Sequence, residues 1–223
     1  MIMPYYHDST SGITIYCGDA RTILPQLASA SVDVVITDPV WPNSIPELIG
    51  HADPYDLFVS TATLFPRLTS RVVVQLGCDS DPRFLSAVPT DLPFLRACWL
   101  EYARPSYKGR LLMGNDVAYV FGRWPKSEPG SHLMPGRMVQ TVAHDGRNDH
   151  PTPRRLQHVK WLVRWFARGL ILDPFVGSGT TLVAAKHLGR PAIGIEIEEK
   201  YCETAVRRLQ QAVLPGLMTG AAE

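Results

Sequence analysis

One stretch near the C-terminal end limits what this chain can fold into: residues 169–189, GLILDPFVGSGTTLVAAKHLG. Leu170–Leu172 is a short apolar run typical of a buried strand, and Asp173, followed by proline, ends it. Gly177–Gly179 then predicts a tight turn, because glycine adopts backbone conformations that other residues avoid. Residues 180–188 carry apolar side chains at helical spacing. The stretch therefore predicts a strand, a glycine turn and a helix, in that order.

A second apolar strand, residues 191–195, follows this helix and ends on Glu196. In α/β proteins such a unit holds an adenosine-bearing cofactor, because glycines admit a ligand close to the backbone and the acid accepts its ribose hydroxyls. The turn lacks the third glycine of a dinucleotide fingerprint and the lysine of a phosphate loop, which disfavours dinucleotides and nucleoside triphosphates. Glycine turns also occur in α/β proteins that bind no ligand. The prediction of a nucleoside cofactor therefore depends on what the rest of the chain shows.

Apolar runs and helical periodicity predict a single α/β domain over residues 1–223, with a mostly parallel seven-stranded sheet flanked by helices. The other five strands are predicted at residues 13–16, 31–37, 71–76, 94–102 and 117–121. The other helices are predicted at residues 22–27, 55–64, 150–167 and 199–213. Three segments without periodicity, residues 42–53, 104–115 and 124–149, are predicted to be loops.

Asp38 follows the strand predicted at residues 31–37 and opens the tetrapeptide Asp38-Pro39-Val40-Trp41. In open parallel sheets, ligands bind beyond the carboxyl ends of the strands. The position of Asp38 therefore predicts that chemistry takes place there. An Asp-Pro turn that merely ends a strand is the alternative for this segment taken alone.

The composition excludes several classes of protein. At 45% hydrophobic and 19% charged residues, the chain is typical of a globular protein and not of a disordered or fibrous one. Neither a secretory signal nor an apolar run of about 18 residues is visible, so a cytoplasmic protein without a membrane span is expected. The four cysteines are scattered and the histidines lack metal-ligand spacing, so no metal site is expected.

Charge is unevenly distributed, although the net charge is only +1. Residues 104–168 hold twelve Lys or Arg and four Asp or Glu, whereas the rest of the chain holds ten and seventeen. A basic middle segment favours contact with a polyanion over a merely solvated basic face. The candidates for phosphate or base contacts are Arg104, Lys108, Arg110, Arg147 and Arg154.

Four segments, taken in their order, resemble the motifs of beta-group S-adenosylmethionine-dependent DNA amino-methyltransferases. Gly18-Asp19-Ala20 is similar to the segment whose acid meets the adenine of the cofactor. Asp38-Pro39-Val40-Trp41 resembles the catalytic tetrapeptide, and His150-Pro151-Thr152-Pro153-Arg154 resembles the helix opening that closes over the methionine part of the cofactor. The fourth segment is the unit from Asp173 to Glu196. The catalytic motif precedes the cofactor motif, which is the permuted order of the beta group.

This resemblance implies a Rossmann-like class I methyltransferase domain that binds S-adenosylmethionine and methylates a flipped base in double-stranded DNA. It implies a small basic target-recognition region within about residues 104–149, and leaves a homodimer and a restriction partner open. The catalytic residues it implies are Asp38, Pro39, Val40 and Trp41. The cofactor-binding residues it implies are Asp19, Ala20, Asp38, His150, Pro151, Thr152, Asp173, Pro174, Phe175, Gly177, Ser178, Gly179, Thr180 and Glu196.

The tetrapeptide combines features of two kinds of enzyme in this family. Asp38 is the acid of adenine N6 enzymes, usually Asp-Pro-Pro-Tyr, whereas Trp41 is the aromatic of cytosine N4 enzymes, usually Ser-Pro-Pro-Trp. Adenine N6 is predicted because of the acid, with cytosine N4 as the alternative. Val40 replaces the second proline, which leaves open a decayed protein that binds cofactor and DNA only. Methylation of RNA or of a protein amide also stays open, although those enzymes usually have Asn at the position of Asp38.

Overall fold

The computed structural model describes residues 2–40, 53–126, 133–140 and 155–211. The strands are β1 (Tyr6–Asp8), β2 (Ile13–Cys17), β3 (Val34–Thr37), β4 (Arg71–Gly77), β5 (Phe94–Lys108), β6 (Leu111–Gly122), β7 (Arg137–Val139), β8 (Ile171–Asp173) and β9 (Ala192–Glu196). The helices are α1 (Ala20–Ile23), α2 (Pro54–Ala62), α3 (Phe65–Leu68), α4 (Leu156–Phe166), α5 (Thr180–His187) and α6 (Glu199–Gln211), with 3-10 turns at Leu24–Gln26 and Pro82–Ala87.

The nine strands form one sheet with the order β1-β2-β9-β8-β3-β4-β6-β5-β7. Five neighbouring strands, β2, β9, β8, β3 and β4, run in the same direction, and β6 runs antiparallel between β4 and β5. The predicted mostly parallel α/β sheet is confirmed, but the predicted count of seven strands is wrong. The additional strands β1 and β7 have three residues each, too few to show a periodicity in the sequence.

Helices cover both faces of the sheet, so its central strands are buried on both sides. All four residues of β3 and all residues from Arg71 to Leu76 in β4 are buried. Such continuous burial is expected of parallel strands between two helical layers. One core cluster contains residues of α4, α5 and α6, among them Phe166 and Leu182, and the other contains residues of α2 and α3, among them Phe58.

The carboxylate of Asp33, just before β3, joins three strands at the amino edge of the sheet. It accepts hydrogen bonds from the backbone N–H groups of Arg168 and Gly169, which lead into β8. It also lies 3.3 Å from Nη1 of Arg71, at the start of β4, and burial lowers the pKa of this guanidinium. These contacts fix β3, β4 and β8 relative to one another, and so fix the spacing of the groups that follow their carboxyl ends.

β5 and β6 form a long antiparallel hairpin, so the prediction of a loop over residues 104–115 is wrong. Pairing stops after Glu101 opposite Asn115 and resumes at Ser106 opposite Met113, which leaves a bulge in β5. Residues 103–112 are all exposed. The alternating burial that identifies a strand in a sequence is therefore absent from this part of the hairpin.

Each predicted helix is found where the structure describes it, but residues 24–26 of the first form a 3-10 turn and α3 was not predicted. α4 begins at Leu156 and buries Val159, Leu162, Val163 and Phe166, whereas residues 150–154 of the predicted helix lie outside the described residues. Residues 42–52 of the first predicted loop also lie outside them. No helix in the described ranges is both long and apolar enough to cross a membrane.

Candidate active site

The carboxyl ends of four neighbouring parallel strands meet at one edge of the sheet, and each carries or precedes an acid. Asp19 follows β2, Glu196 ends β9, Asp173 ends β8 and Asp38 follows β3. Neighbouring strands lie about 4.8 Å apart, so the four strand ends span roughly 15 Å. The segment predicted to be catalytic and the segment predicted to bind the cofactor therefore lie along the same edge.

Asp173 is buried, with 2% of its surface exposed, and hydrogen bonds fix its carboxylate. Its Oδ1 accepts from Thr37 Oγ1, at the end of the neighbouring β3, at 3.0 Å and from the backbone N–H of Phe175 at 3.1 Å. Burial raises the pKa of Asp173 to about 7; the hydrogen bonds oppose this rise and the charge of Asp38 adds to it. Asp38 and Asp173 thus lie close enough for their charges to interact.

Glu196 holds the glycine turn to the end of β9. Its Oε2 accepts from the backbone N–H of Gly177 at 2.7 Å, and its Oε1 accepts from the N–H of Glu198 at 2.9 Å. Burial raises the pKa of Glu196, while these backbone donors act in the opposite direction. Each carboxylate oxygen has two lone pairs, so the group keeps the capacity to accept ligand hydroxyls.

The glycines of the turn are required by the backbone conformation and by packing, as well as for the close approach of a ligand. Gly177 and Gly179 both have positive φ, 50° and 85°, which favours glycine at each position. A Cβ on Gly179 would lie 2.7 Å from Cβ of Ala205 on α6, so this glycine permits the close packing of α6 against the start of α5. A Cβ on Gly194 would lie 2.4 Å from a methyl of Val176, a packing constraint in β9 that the sequence prediction missed.

Arg208 on α6 is a second feature that the sequence prediction missed. Its Nη1 donates to Ser178 O at 2.6 Å, to Ser178 Oγ at 3.0 Å and to Thr180 Oγ1 at 3.1 Å. One guanidinium thus spans the turn and the first residue of α5. The only signal in the sequence is its place beside the buried Ala205 and Leu209 on an amphipathic helix.

Asp19 caps α1. Its carboxylate accepts from the backbone N–H of Arg21 at 2.8 Å and pairs with the Arg21 guanidinium at 2.6 Å, which holds the pKa of Asp19 below its ordinary value. Ala20 beside it is buried. The predicted contact of Asp19 with an adenine ring stays a prediction.

Part of the predicted site lies outside the described residues. Within the tetrapeptide, Asp38 and Val40 are partly exposed and Pro39 is buried, whereas Trp41 is not among the described residues. The predicted residues His150, Pro151 and Thr152 and the candidate DNA contacts Arg147 and Arg154 are not among them either. The described residues include no group of three or more His, Cys, Asp or Glu side chains arranged to hold a metal ion.

Comparison with known proteins shows that this chain is similar to DNA methylases. A family model described as DNA methylase, of the N6/N4 type, matches residues 108–207. YubD of Escherichia coli (strain K12), which is named as a methylase, is 27% identical over 221 residues, covering 92% of this chain and 93% of that protein. Over residues 108–207 the chain is similar to the N6/N4 DNA methylase family.

Two solved structures of DNA methyltransferases have the same fold as this chain. The cytosine-N4-specific PvuII DNA methyltransferase superposes with a TM-score of 0.72 at 18% identity, covering 99% of this chain and 91% of that one. M1.HpyAVI, solved as a complex with S-adenosylmethionine, superposes with a TM-score of 0.65 at 23% identity, covering 88% and 100%.

The candidate DNA contacts that the structure describes all lie on the β5–β6 hairpin. Arg104, Lys108 and Arg110 are exposed near its turn. Lys108 Nζ forms an ion pair with Asp79 Oδ2 at 2.8 Å, which raises the pKa of the lysine. Lys108 therefore contacts another part of the chain in this structure, which the sequence did not suggest.

Proposed function

We propose that this chain transfers a methyl group from S-adenosylmethionine to the exocyclic amino group of a flipped base in DNA, adenine N6 in preference to cytosine N4. The observation that carries the proposal is the adjacency of β3 and β8. Asp38 follows one of these parallel strands, and Asp173 and the glycine turn follow the other. Two reactants bound beyond neighbouring strand ends can be held in line, which supplies much of the rate of a transfer reaction.

The residues along this edge fit a cationic nucleoside cofactor. S-Adenosylmethionine, when bound, supplies a methyl group already activated by its sulfonium. The carboxylates of Asp38 and Glu196 create a negative potential at this edge that favours a cation. Glu196 retains lone pairs for ribose hydroxyls, and the turn around Gly177 lies against it. The relative M1.HpyAVI, which was solved with S-adenosylmethionine bound, supports the same assignment.

Asp38 and Pro39 would prepare the amino group for attack. An exocyclic amino nitrogen is a weak nucleophile because its lone pair is delocalised into the ring. The Asp38 carboxylate and the Pro39 carbonyl can accept its two hydrogens and hold the nitrogen closer to tetrahedral, which frees the lone pair. Asp38 can then take the proton that the methylated nitrogen loses. Burial of Pro39 fixes the backbone that carries both acceptors.

Incubation with radiolabelled S-adenosylmethionine and mixed-sequence duplex DNA, followed by nucleoside analysis, tests the proposal. We expect N6-methyladenine, and a slowing of about 10²- to 10⁴-fold in Asp38→Ala because an acid–base group is lost. Asp91→Ala is the matched control, since Asp91 is an exposed acid that precedes β5 at the opposite edge of the sheet. N4-methylcytosine would establish the alternative base.

A second candidate is a protein that binds the cofactor and DNA without catalysis, because Val40 stands where the family usually has proline. Tight binding of S-adenosylmethionine without any methylated base on mixed DNA would support that candidate. Labelling of RNA or protein in place of DNA would contradict both candidates.

A further inference from the structure

We infer that the tip of the β5–β6 hairpin, residues 103–113, enters the major groove of the substrate DNA; this inference rests on the proposed function. β4 ends at Gly77, which pairs with Asp116 of β6. The five residues of β6 from Leu111 to Asn115 therefore extend beyond the end of β4, which at about 3.4 Å per residue is roughly 17 Å. They extend past the same edge at which Asp38 lies, so the hairpin tip projects on the substrate side of the sheet.

The two faces of the hairpin tip differ. Lys108 and Met113 lie on one face, where Lys108 pairs with Asp79 and the Met113 sulfur lies 3.9 Å from Sγ of Cys78. These two side chains contact the segment that follows β4, while Leu111, the cross-strand partner of Lys108 on the same face, is 62% exposed. Because strand residues alternate between faces, the cross-strand partners of the next rung point the other way.

Those partners, Tyr107 and Leu112, pair across the strands and are 76% and 55% exposed. A large exposed aromatic and aliphatic pair on an anchored hairpin is characteristic of a contact surface. Since the opposite face is held by the chain itself, the hairpin tip presents this pair in a defined orientation.

The charge of the hairpin tip indicates which kind of partner contacts it. The hairpin tip carries Arg104, Lys108 and Arg110 and has no acid between residues 103 and 113. A second copy of the chain in a two-fold contact would bring the same three cations against each other, because such an interface uses the same patch on both subunits. A polyanion beside the catalytic edge matches the charge, and DNA is the polyanion that the proposed function requires.

The dimensions of the hairpin also fit the major groove of DNA. The major groove of B-DNA is about 12 Å wide and admits a two-stranded β-ribbon, whose strands lie about 4.8 Å apart. The three cross-strand pairs of the hairpin tip, from Lys108–Leu111 to Ser106–Met113, extend roughly 10 Å and so span about three base pairs at 3.4 Å each. Arg104 and Arg110 would then reach phosphates, and Tyr107 and Leu112 would contact base edges such as the thymine methyl.

Fluorescence anisotropy of the full chain with labelled duplex DNA, over a series of salt concentrations, tests this inference. Replacing Arg104 and Arg110 together by Gln should make the slope of log K against log[salt] shallower by about 2, since each lost phosphate contact contributes about 0.9. Tyr107→Ala should weaken binding about tenfold with the slope unchanged, and Tyr107→Phe should keep most of the affinity. Arg164→Gln, on the exposed side of α4, controls for loss of a positive charge elsewhere.

Circular dichroism and the affinity for S-adenosylmethionine should be unchanged in all of these variants, because the substituted side chains are exposed. Variants of the hairpin tip that bind and methylate DNA as well as the wild type would overturn the inference while leaving the proposed function intact. A wild-type dimer that Tyr107→Ala dissociates, with DNA affinity unchanged, would also overturn it. Failure of the wild type to bind any duplex would instead contradict the proposed function.

Discussion

The parallel part of the sheet and the hairpin tip hold their functional side chains in opposite ways. Asp173 and Glu196 are buried at the ends of β8 and β9, and both accept hydrogen bonds from backbone N–H groups. Arg104, Tyr107 and Arg110 are exposed on a projecting hairpin. The first arrangement fixes positions, and the second leaves side chains accessible to a large partner.

This difference separates two requirements of the proposed reaction. Methyl transfer depends on placement within fractions of an ångström, and buried, hydrogen-bonded groups are the ones a fold can place that well. Recognition of a duplex requires exposed side chains beyond the fold, where substitutions cost little stability. We therefore expect substitutions in the parallel part to alter stability and cofactor binding, and substitutions of the exposed Arg104, Tyr107 and Arg110 side chains to alter DNA binding alone.

The largest expected effect is the dependence of stability on pH caused by Asp173. Its pKa is about 7 in the folded chain against an ordinary value of 3.8. Its contribution to the free energy of unfolding is therefore complete below pH 3.8 and is lost as the pH rises through 7. At about 1.4 kcal/mol per pKa unit, the loss is about 4 kcal/mol. Asp173→Asn should abolish this loss, as measured by urea denaturation at pH 4, 6 and 8.

The comparison with the wild type isolates Asp173, because Glu196 is present in both proteins and its raised pKa acts in the same direction. Parallel stability curves for the two proteins across this pH range would show that Asp173 does not hold its proton in the folded chain. The hairpin tip offers no buried acid for such an effect.

A glycine-to-alanine pair compares the two regions directly. Gly179→Ala combines a positive φ of 85° with a Cβ 2.7 Å from Ala205, so strain of about 1–2 kcal/mol and overpacking of about 1–3 kcal/mol should both apply. Gly109→Ala at the hairpin turn has a φ of 61° and no atom within 4 Å, so only the strain of about 1–2 kcal/mol should apply. Chemical denaturation measures both, and equal losses would contradict a packing role for Gly179.

Arg208→Ala should weaken binding of the cofactor by loosening the glycine turn, without altering the groups that react. Three hydrogen bonds from one guanidinium to Ser178 and Thr180 are lost. We expect the affinity for S-adenosylmethionine, measured by calorimetry, to fall about tenfold, which corresponds to about 1.4 kcal/mol. KM for the cofactor should rise more than kcat falls, and Arg208→Lys should restore part of the affinity.

Arg207→Ala is the matched control for Arg208, because Arg207 is the neighbouring residue and its guanidinium donates to Thr204 within the same helix. It should bind S-adenosylmethionine like the wild type. If both variants lose affinity equally, the effect comes from α6 as a whole and not from the bonds to the turn.

The sequence predicted the parallel part of the sheet well because its signals are local. An apolar run that ends in an acid, as at Asp38 and Asp173, identifies both a strand and the edge where its carboxyl end lies. Arg208 was missed because its partners lie about 30 residues earlier in the chain and meet it only after α5 and α6 pack. The hairpin was missed because residues 103–112 are exposed throughout, which removes the alternation that reveals a strand.

The smallest expected effect concerns the contact that holds the hairpin tip against the rest of the chain. Asp79→Asn removes the negative charge that pairs with Lys108, and because an exposed ion pair contributes little to folding, the unfolding midpoint should change little. The lysine then becomes available to a phosphate, and the slope of log K against log[salt] for duplex DNA should steepen by about 0.9. An unchanged slope in the anisotropy series would place Lys108 out of reach of the DNA, with recognition left to the face that carries Tyr107.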